Sequence, residues 1–214
     1  MQNGVLKKIG ISFMLLLAAF FYLHTGVQAG EKGDQADSFR YGKSALEESG
    51  LSFGLLNAGA WTRSGNAYYS SNGKVINGAY ARGIDVSGNN GAIDWNAVKA
   101  DGVDFAIIRC GYGMNQTNQD DPQWLANVTG CEAAGIPYGV YIYSYADSVS
   151  RAVSEADHVL RLINGRRLAY PVYFDMEDQS IFSTTTAKQR SQIAKAFCQR
   201  IEAAGYEAAI YASN

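Results

Sequence analysis

From Arg82 onward the sequence predicts an α/β fold with a parallel sheet, on three observations. Short apolar runs alternate with segments whose apolar residues recur every three or four positions, in the order strand, helix, strand, helix up to a fifth strand. The run Phe105–Cys110, FAIIRC, is almost continuously apolar, as strands covered on both faces are. Gly135, Gly165 and Gly205 each stand where a helical pattern stops, just ahead of the next apolar run.

In chain order, RGIDVS (Arg82–Ser87) reads as a short strand with Asp85 near its C-terminal end. Asp94 is a suitable N-cap for a helix running to Asp101. The strand Phe105–Cys110 closes at Gly111-Tyr112-Gly113, and a polar loop leads to a helix from Pro122 to Ala134. Tyr138–Tyr145, YGVYIYSY, is the third strand. The third helix carries the stripe Val149, Val153, Ala156, Leu160 and Ile163; His158 falls off it and is expected to be solvated. PVYFDMED supplies a strand from Pro171 to Glu177. Thr184 or Thr185 is expected to cap a fourth helix with the stripe Ile193, Phe197, Ile201 and Ala204, and Glu207–Ala212 forms the last strand.

The strand ends carry the chemistry. Alternate side chains share a strand face, so Tyr173, Asp175 and Glu177 are expected on one side and Val172, Phe174 and Met176 on the other. The two acids would then sit with Cα atoms roughly 6.5–7 Å apart. Neighbouring carboxyls perturb one another's ionisation, so one keeps its proton while the other stays charged. Parallel α/β folds gather function at the C-terminal ends of their strands. Asp85, Arg109, Tyr143, Tyr145, Asp175, Glu177 and Tyr211 all fall near such ends. The tyrosines either meet a substrate or pack against helices; Arg109 either pairs with an acid, lowering its pKa, or satisfies the interior.

The first 80 residues differ in kind. Lys7 and Lys8 precede the apolar run Ile9–Leu23, and Val27-Gln28-Ala29 follows with small residues, which is a signal-peptide pattern with cleavage after Ala29. The run is shorter than the roughly 18 or more residues wanted for a membrane span: either the segment is cleaved, and no stable membrane association is expected afterwards, or it stays as an uncleaved anchor. Residues 30–80 are rich in Gly, Ser, Asn and Tyr, and are expected to form a linker. Trp61, Tyr68, Tyr69 and Val75 are separated in it by Gly and Asn turn signals, which suggests a short β-hairpin like a single degenerate copy of a bacterial cell-wall-binding repeat. Loss of residues 1–29 removes Lys7 and Lys8 and no acid, leaving 16 basic against 20 acidic side chains. That balance gives no basic footprint for nucleic acid.

Cys110, Cys131 and Cys198 have unrelated spacings and no partnering histidines, which excludes a structural zinc site. Either one disulfide forms, with Cys110 and Cys131 the first pair to test, or the thiols are free. The tripeptides at Asn115 and Asn127 match the N-glycosylation pattern, and count as chance matches in a bacterial protein.

RGIDVS, DFAIIRCGYG, AAGIPYGVYIYSYA, EADHVL, PVYFDMED and AGYEAAIYAS, in this order, together resemble the glycoside hydrolase family 25 lysozymes, the Chalaropsis-type N-acetylmuramidases. The resemblance covers residues 81–214. It implies a TIM-like (β/α) barrel, no cofactor or metal, export to the cell wall or medium of a bacterium, and cleavage of the β-1,4 bond between N-acetylmuramic acid and N-acetylglucosamine in peptidoglycan glycan strands. By motif, Glu177 matches the general acid, Asp175 its partner carboxylate and Asp85 the acid on the first strand, with Tyr143, Tyr145, Arg109 and Tyr211 as candidate substrate contacts. Asp175 would act either as nucleophile or by steadying the substrate's own acetamido group.

Such a barrel usually takes about 200 residues or more, whereas residues 81–214 supply five recognisable strands and four helices. The barrel is therefore expected to be incomplete, with an open edge at Ile210 and Tyr211 and a truncated chain that folds poorly or lacks activity. The competing readings are a wall-binding module that has lost turnover and, more remotely, a chitinase-like barrel.

Overall fold

The computed structural model describes residues 62–70 and 73–212. The expected signal segment and residues 30–61 of the expected linker lie outside the described residues. Two compact units are present: the described residues up to Ile84 together with Asn89–Phe105, and Asp85–Gly88 together with the described residues from Ala106 onward.

In the first unit β1 (Thr62–Ser64) and β2 (Ala67–Tyr69) form an antiparallel hairpin, with Ser64 opposite Ala67. The turn between them is Gly65-Asn66, and Gly65 takes φ +59°, a conformation that favours glycine. Tyr68, 2% exposed, anchors the hairpin by donating to Asp104 Oδ2 at 2.7 Å. The Arg82 backbone N–H donates to the same oxygen at 2.7 Å. Helix α1 (Trp95–Ala100) starts at Asp94, whose carboxylate accepts from the backbone N–H groups of Asn96 and Ala97, as expected of an N-cap.

The second unit is the parallel α/β fold. Its sheet runs in the order β3-β4-β5-β6-β7, with β3 (Gly83–Val86) entering through Asp85 and Val86. The strands β4 (Phe105–Tyr112), β5 (Tyr138–Tyr143), β6 (Val172–Asp175) and β7 (Ala208–Tyr211) pair in parallel, each beside its successor in sequence. Helices α2 (Trp124–Ala133), α3 (Val149–Ile163) and α5 (Ala187–Ala203) lie on the connections. This is a strand–helix succession of the TIM-like barrel type, and the ring is not closed among the described residues. One sheet face packs on helices: Val140, Ile142, Val172 and Phe174 are fully buried, and the Phe174 ring stacks on Phe197 of α5 with centroids 4.1 Å apart. Burying a phenylalanine side chain stabilises by about 1.5–3 kcal/mol, so this pair is a main tie between α5 and the sheet.

Several local expectations are corrected. The helix after β6 is two helices, α4 (Gln179–Thr184) and α5, so the described residues hold five α-helices where four were expected. Asp178 caps α4, and the α5 cap is Thr186 rather than Thr184 or Thr185, because Thr186 and Gln189 close a reciprocal capping box. The strand through PVYFDMED ends at Asp175, since the chain must turn to bring Asp178 to the start of α4. The strand expected to reach Tyr145 ends at Tyr143: the Ser144 backbone N–H still donates to the Asp175 carbonyl at 2.9 Å, but the Tyr145 N–H turns away from the ladder to Glu155, which also takes the Ser144 hydroxyl. His158 is fully buried rather than solvated. The buried side of α3 is Ala152, Glu155, Ala156, His158, Val159 and Ile163, rotated from the expected stripe, and Val149 is exposed. The three cysteines are free thiols; Cys110 Sγ donates to the Tyr141 carbonyl and Cys131 Sγ to that of Ile136.

Candidate active site at the strand ends

The site begins with a register shift. Arg109 pairs with Tyr141, but the next pairs are Gly111 with Ile142 and Tyr112 with Tyr143, so Cys110 is the extra residue of a β-bulge. In a regular strand Arg109 and Tyr112 would point to opposite faces. The bulge returns both to the face that lacks the helices. Gly111 makes this geometry possible, because a Cβ there would stand 2.7 Å from the Gln119 carbonyl oxygen and 2.8 Å from His158 Cε1.

On that face two rows form. The outer row runs Tyr112, Tyr143, Asp175, Tyr211 along successive strand ends, and the row beneath runs Arg109, Tyr141, Tyr173. Asp85, on β3, accepts a hydrogen bond from the Tyr141 hydroxyl. Burial pushes Asp85 up to about 7; the Tyr141 hydroxyl and the Arg109 guanidinium pull it down, and the Glu177 carboxyl pushes it up. Asp175 is 5% exposed, and its Oδ1 has no hydrogen-bond partner among the described residues. Burial first, then the charges of Glu177 and Asp85, push it up to about 8, against the opposing pull of Arg109. The three carboxyls thus feel one another. Burial and the neighbouring carboxyls therefore favour the protonated forms of Asp85 and Asp175.

Glu177 lies half-buried just past the strand, and the Tyr211 hydroxyl donates to it. Burial, with Glu177 and Asp175 nearby, raises the Tyr211 pKa. Tyr143 donates to Asp178 Oδ2 at 3.3 Å. Its ring meets that of Tyr145 edge-on at 5.2 Å, and Tyr145, 42% exposed, meets Tyr112 at 6.4 Å. Together they make an aromatic border beside the acids. Arg109 bonds through Nε to Asp121 Oδ2 at 2.7 Å and also lowers the pKa of both Asp85 and Asp175.

All seven residues singled out in the sequence therefore belong to one end of this sheet. Sequence reasoning missed Tyr141, Asp121, Tyr112 and Glu155. Tyr141 had a signal, since it alternates with Tyr143 on the same strand face. Tyr112 lay beyond an unforeseen bulge, and Asp121 and Glu155 act through contacts distant in sequence. Among the described residues no group of three or more His, Cys, Asp or Glu side chains is disposed to hold a metal ion, and no helix is long and apolar enough to cross a membrane.

Residues 84–214 match the family model described as Glycosyl hydrolases family 25. Over 96 residues the chain is 32% identical to the autolytic lysozyme of Clostridium acetobutylicum, covering 45% of this chain and 28% of that protein. Over 77 residues it is 38% identical to lysozyme M1 of Streptomyces globisporus, covering 36% of this chain and 25% of the other. The matched regions thus span well under half the length of these relatives. In structure it is similar to the modular autolysin LytC of Streptococcus pneumoniae, with a TM-score of 0.60 and 26% identity over 72% of this chain and 38% of that one. LytC has also been solved in complex with a synthetic peptidoglycan ligand.

Proposed function

Because the chain belongs to the glycosyl hydrolases family 25, we propose that it is an exported lysozyme of the N-acetylmuramidase type. Its substrate is the β-1,4 bond between N-acetylmuramic acid and N-acetylglucosamine in peptidoglycan. The observation that carries the reading is the meeting of Asp85, Asp175 and Glu177 at the strand ends, with one Asp175 oxygen buried and without a hydrogen-bond partner among the described residues.

A glycosidic oxygen leaves poorly unless it is protonated as the bond to the anomeric carbon breaks. Glu177, held by the Tyr211 hydroxyl at the open side of the cluster, is placed to give that proton. Asp175, deeper, meets the positive charge that develops at the anomeric carbon in its carboxylate form, which Arg109 favours against burial, either directly or through the acetamido group of the sugar. Water then adds to that carbon and its proton returns to the carboxyl cluster. Asp85, bonded to Tyr141, steadies the charge distribution rather than reacting. Tyr112, Tyr143 and Tyr145 offer edges and faces to sugar rings. Residues 1–29 direct export, and cleavage follows Ala29.

The test is reducing-end release from purified peptidoglycan, with the new ends identified by mass. Glu177→Gln abolishes release while the protein still sediments with cell walls. Unchanged release by that variant, or new ends on N-acetylglucosamine, removes the reading.

A further inference from the structure

Asp121 lies in the loop between β4 and α2, and its side chain is fully buried. Three N–H groups converge on its carboxylate. Oδ2 accepts from Arg109 Nε at 2.7 Å and from the Gly88 backbone at 2.8 Å, and Oδ1 accepts from the Gln123 backbone at 2.8 Å. Its own backbone is fixed on both sides: Asp121 N–H donates to the Cys110 carbonyl at 2.9 Å, and its carbonyl accepts from Trp124 at 3.0 Å. Gly88 is three residues after Asp85, and a Cβ there would fall 2.7 Å from Pro122 Cγ. One carboxylate thus ties the bulged strand carrying Arg109, the segment following Asp85 and the start of α2 into a rigid seat.

The guanidinium so held faces Asp85 from β3, Tyr141 from β5, Tyr145 from the segment after β5 and Asp175 from β6. Left free, an arginine beside two carboxyls would turn its fork onto one of them in a bidentate pair. That carboxyl would be held charged with its oxygens taken by the guanidinium, and would no longer be free to meet the anomeric carbon. We propose that Asp121 is a positioning residue that keeps Arg109 from closing onto Asp85 and Asp175, so that Arg109 tempers the acid cluster without neutralising it. The proposal rests on the lysozyme reading for its consequence in turnover, and on the bonds that Asp121 makes together with the charge of Arg109 beside the acids for its effect on the two acids. Its electrostatic and steric effects agree in sign. Removing the Asp121 charge favours the anionic forms of Asp85 and Asp175, and so does releasing Arg109 toward them.

The experiment uses the full chain with Asp121→Asn, Arg109→Gln and the double variant. The readouts are ¹³C-carboxyl NMR titration of Asp85 and Asp175, which needs no substrate, and the pH–rate profile on peptidoglycan. Asp121→Asn is expected to move both titrations down by about one pH unit, to lower kcat at neutral pH about tenfold and to leave KM within about twofold. Arg109→Gln is expected to move both titrations up, and the double variant to follow Arg109→Gln because no guanidinium remains to be held. An Asp121→Asn titration that stays in place, or moves up with Arg109→Gln, overturns the proposal. Asp121→Glu keeps the charge and covers the case in which the asparagine variant does not fold. It is expected to retain the wild-type titrations, and a downward move by it also overturns the proposal. Inactive wild-type protein with shifting titrations would reject the lysozyme reading alone.

Discussion

The Tyr141 hydroxyl donates to the carboxylate of Asp85, joining a side chain of β5 to one of β3 below the open end of the sheet. A hydroxyl donor favours the charged form of its acceptor, so this bond works against the burial that pushes Asp85 up to about 7. Tyr141→Phe removes the donor and keeps the ring. Asp85 then titrates higher by about one to two pH units, since a hydrogen bond to a charged group is worth about 1.5–3 kcal/mol. Carboxyl NMR gives the shift directly, and a downward or absent shift contradicts it.

Asp175 is pushed up to about 8, above the ordinary carboxylate value of an unfolded chain. A folded-state pKa above the unfolded one means the stability linked to the protonated form is complete below about pH 4 and is lost as pH rises through about 8. Asp175→Asn removes the titration and keeps the shape. Its melting temperature is therefore expected to exceed that of the wild type above pH 8, with the gap closing toward pH 4. Thermal unfolding across that range checks it, and a gap of constant size would refute the linkage.

Glu155 is fully buried and takes the Ser144 hydroxyl at 2.7 Å and the Tyr145 backbone N–H at 3.0 Å. It therefore fixes the turn that presents Tyr145. Glu155→Ala leaves a buried N–H unpaired, a loss of about 2 kcal/mol, and is expected to raise KM for peptidoglycan more than it lowers kcat. Glu155→Gln retains an acceptor for Tyr145 and recovers most of the binding. Denaturant unfolding and steady-state kinetics measure the two effects separately, and equal losses in kcat and KM for the alanine variant would assign Glu155 a different role.

Much of the fold was legible in the sequence because its elements are strongly periodic. The run FAIIRC and the stripe Ile193, Phe197 and Ile201 state their own burial, and Gly135, Gly165 and Gly205 mark where helices stop. What escaped was set by contacts distant along the chain. The bulge at Cys110 leaves no trace in an apolar run, yet it brings Arg109 and Tyr112 to one face. His158 lies off the apolar stripe that marks the core side of α3, yet the segment carrying Gly113 and Asp120 covers that flank, and both His158 ring nitrogens find oxygens there, at 3.1 and 2.8 Å. Asp175 and Glu177 were recognised as a pair, but the strand stops between them. Their coupling comes from shared burial and charge rather than from strand alternation.

The strand order β3-β4-β5-β6-β7 follows the sequence without a single skip. Each strand therefore lies beside the one that precedes it in the chain, and every crossover joins immediate neighbours. The site is spread over the same succession: Asp85 on β3, Arg109 on β4, Tyr141 on β5, and Asp175 on β6 with Glu177 just past its end. The acids meet only when every ladder from β3 to β6 is formed, so slippage of any one of them disperses the whole site.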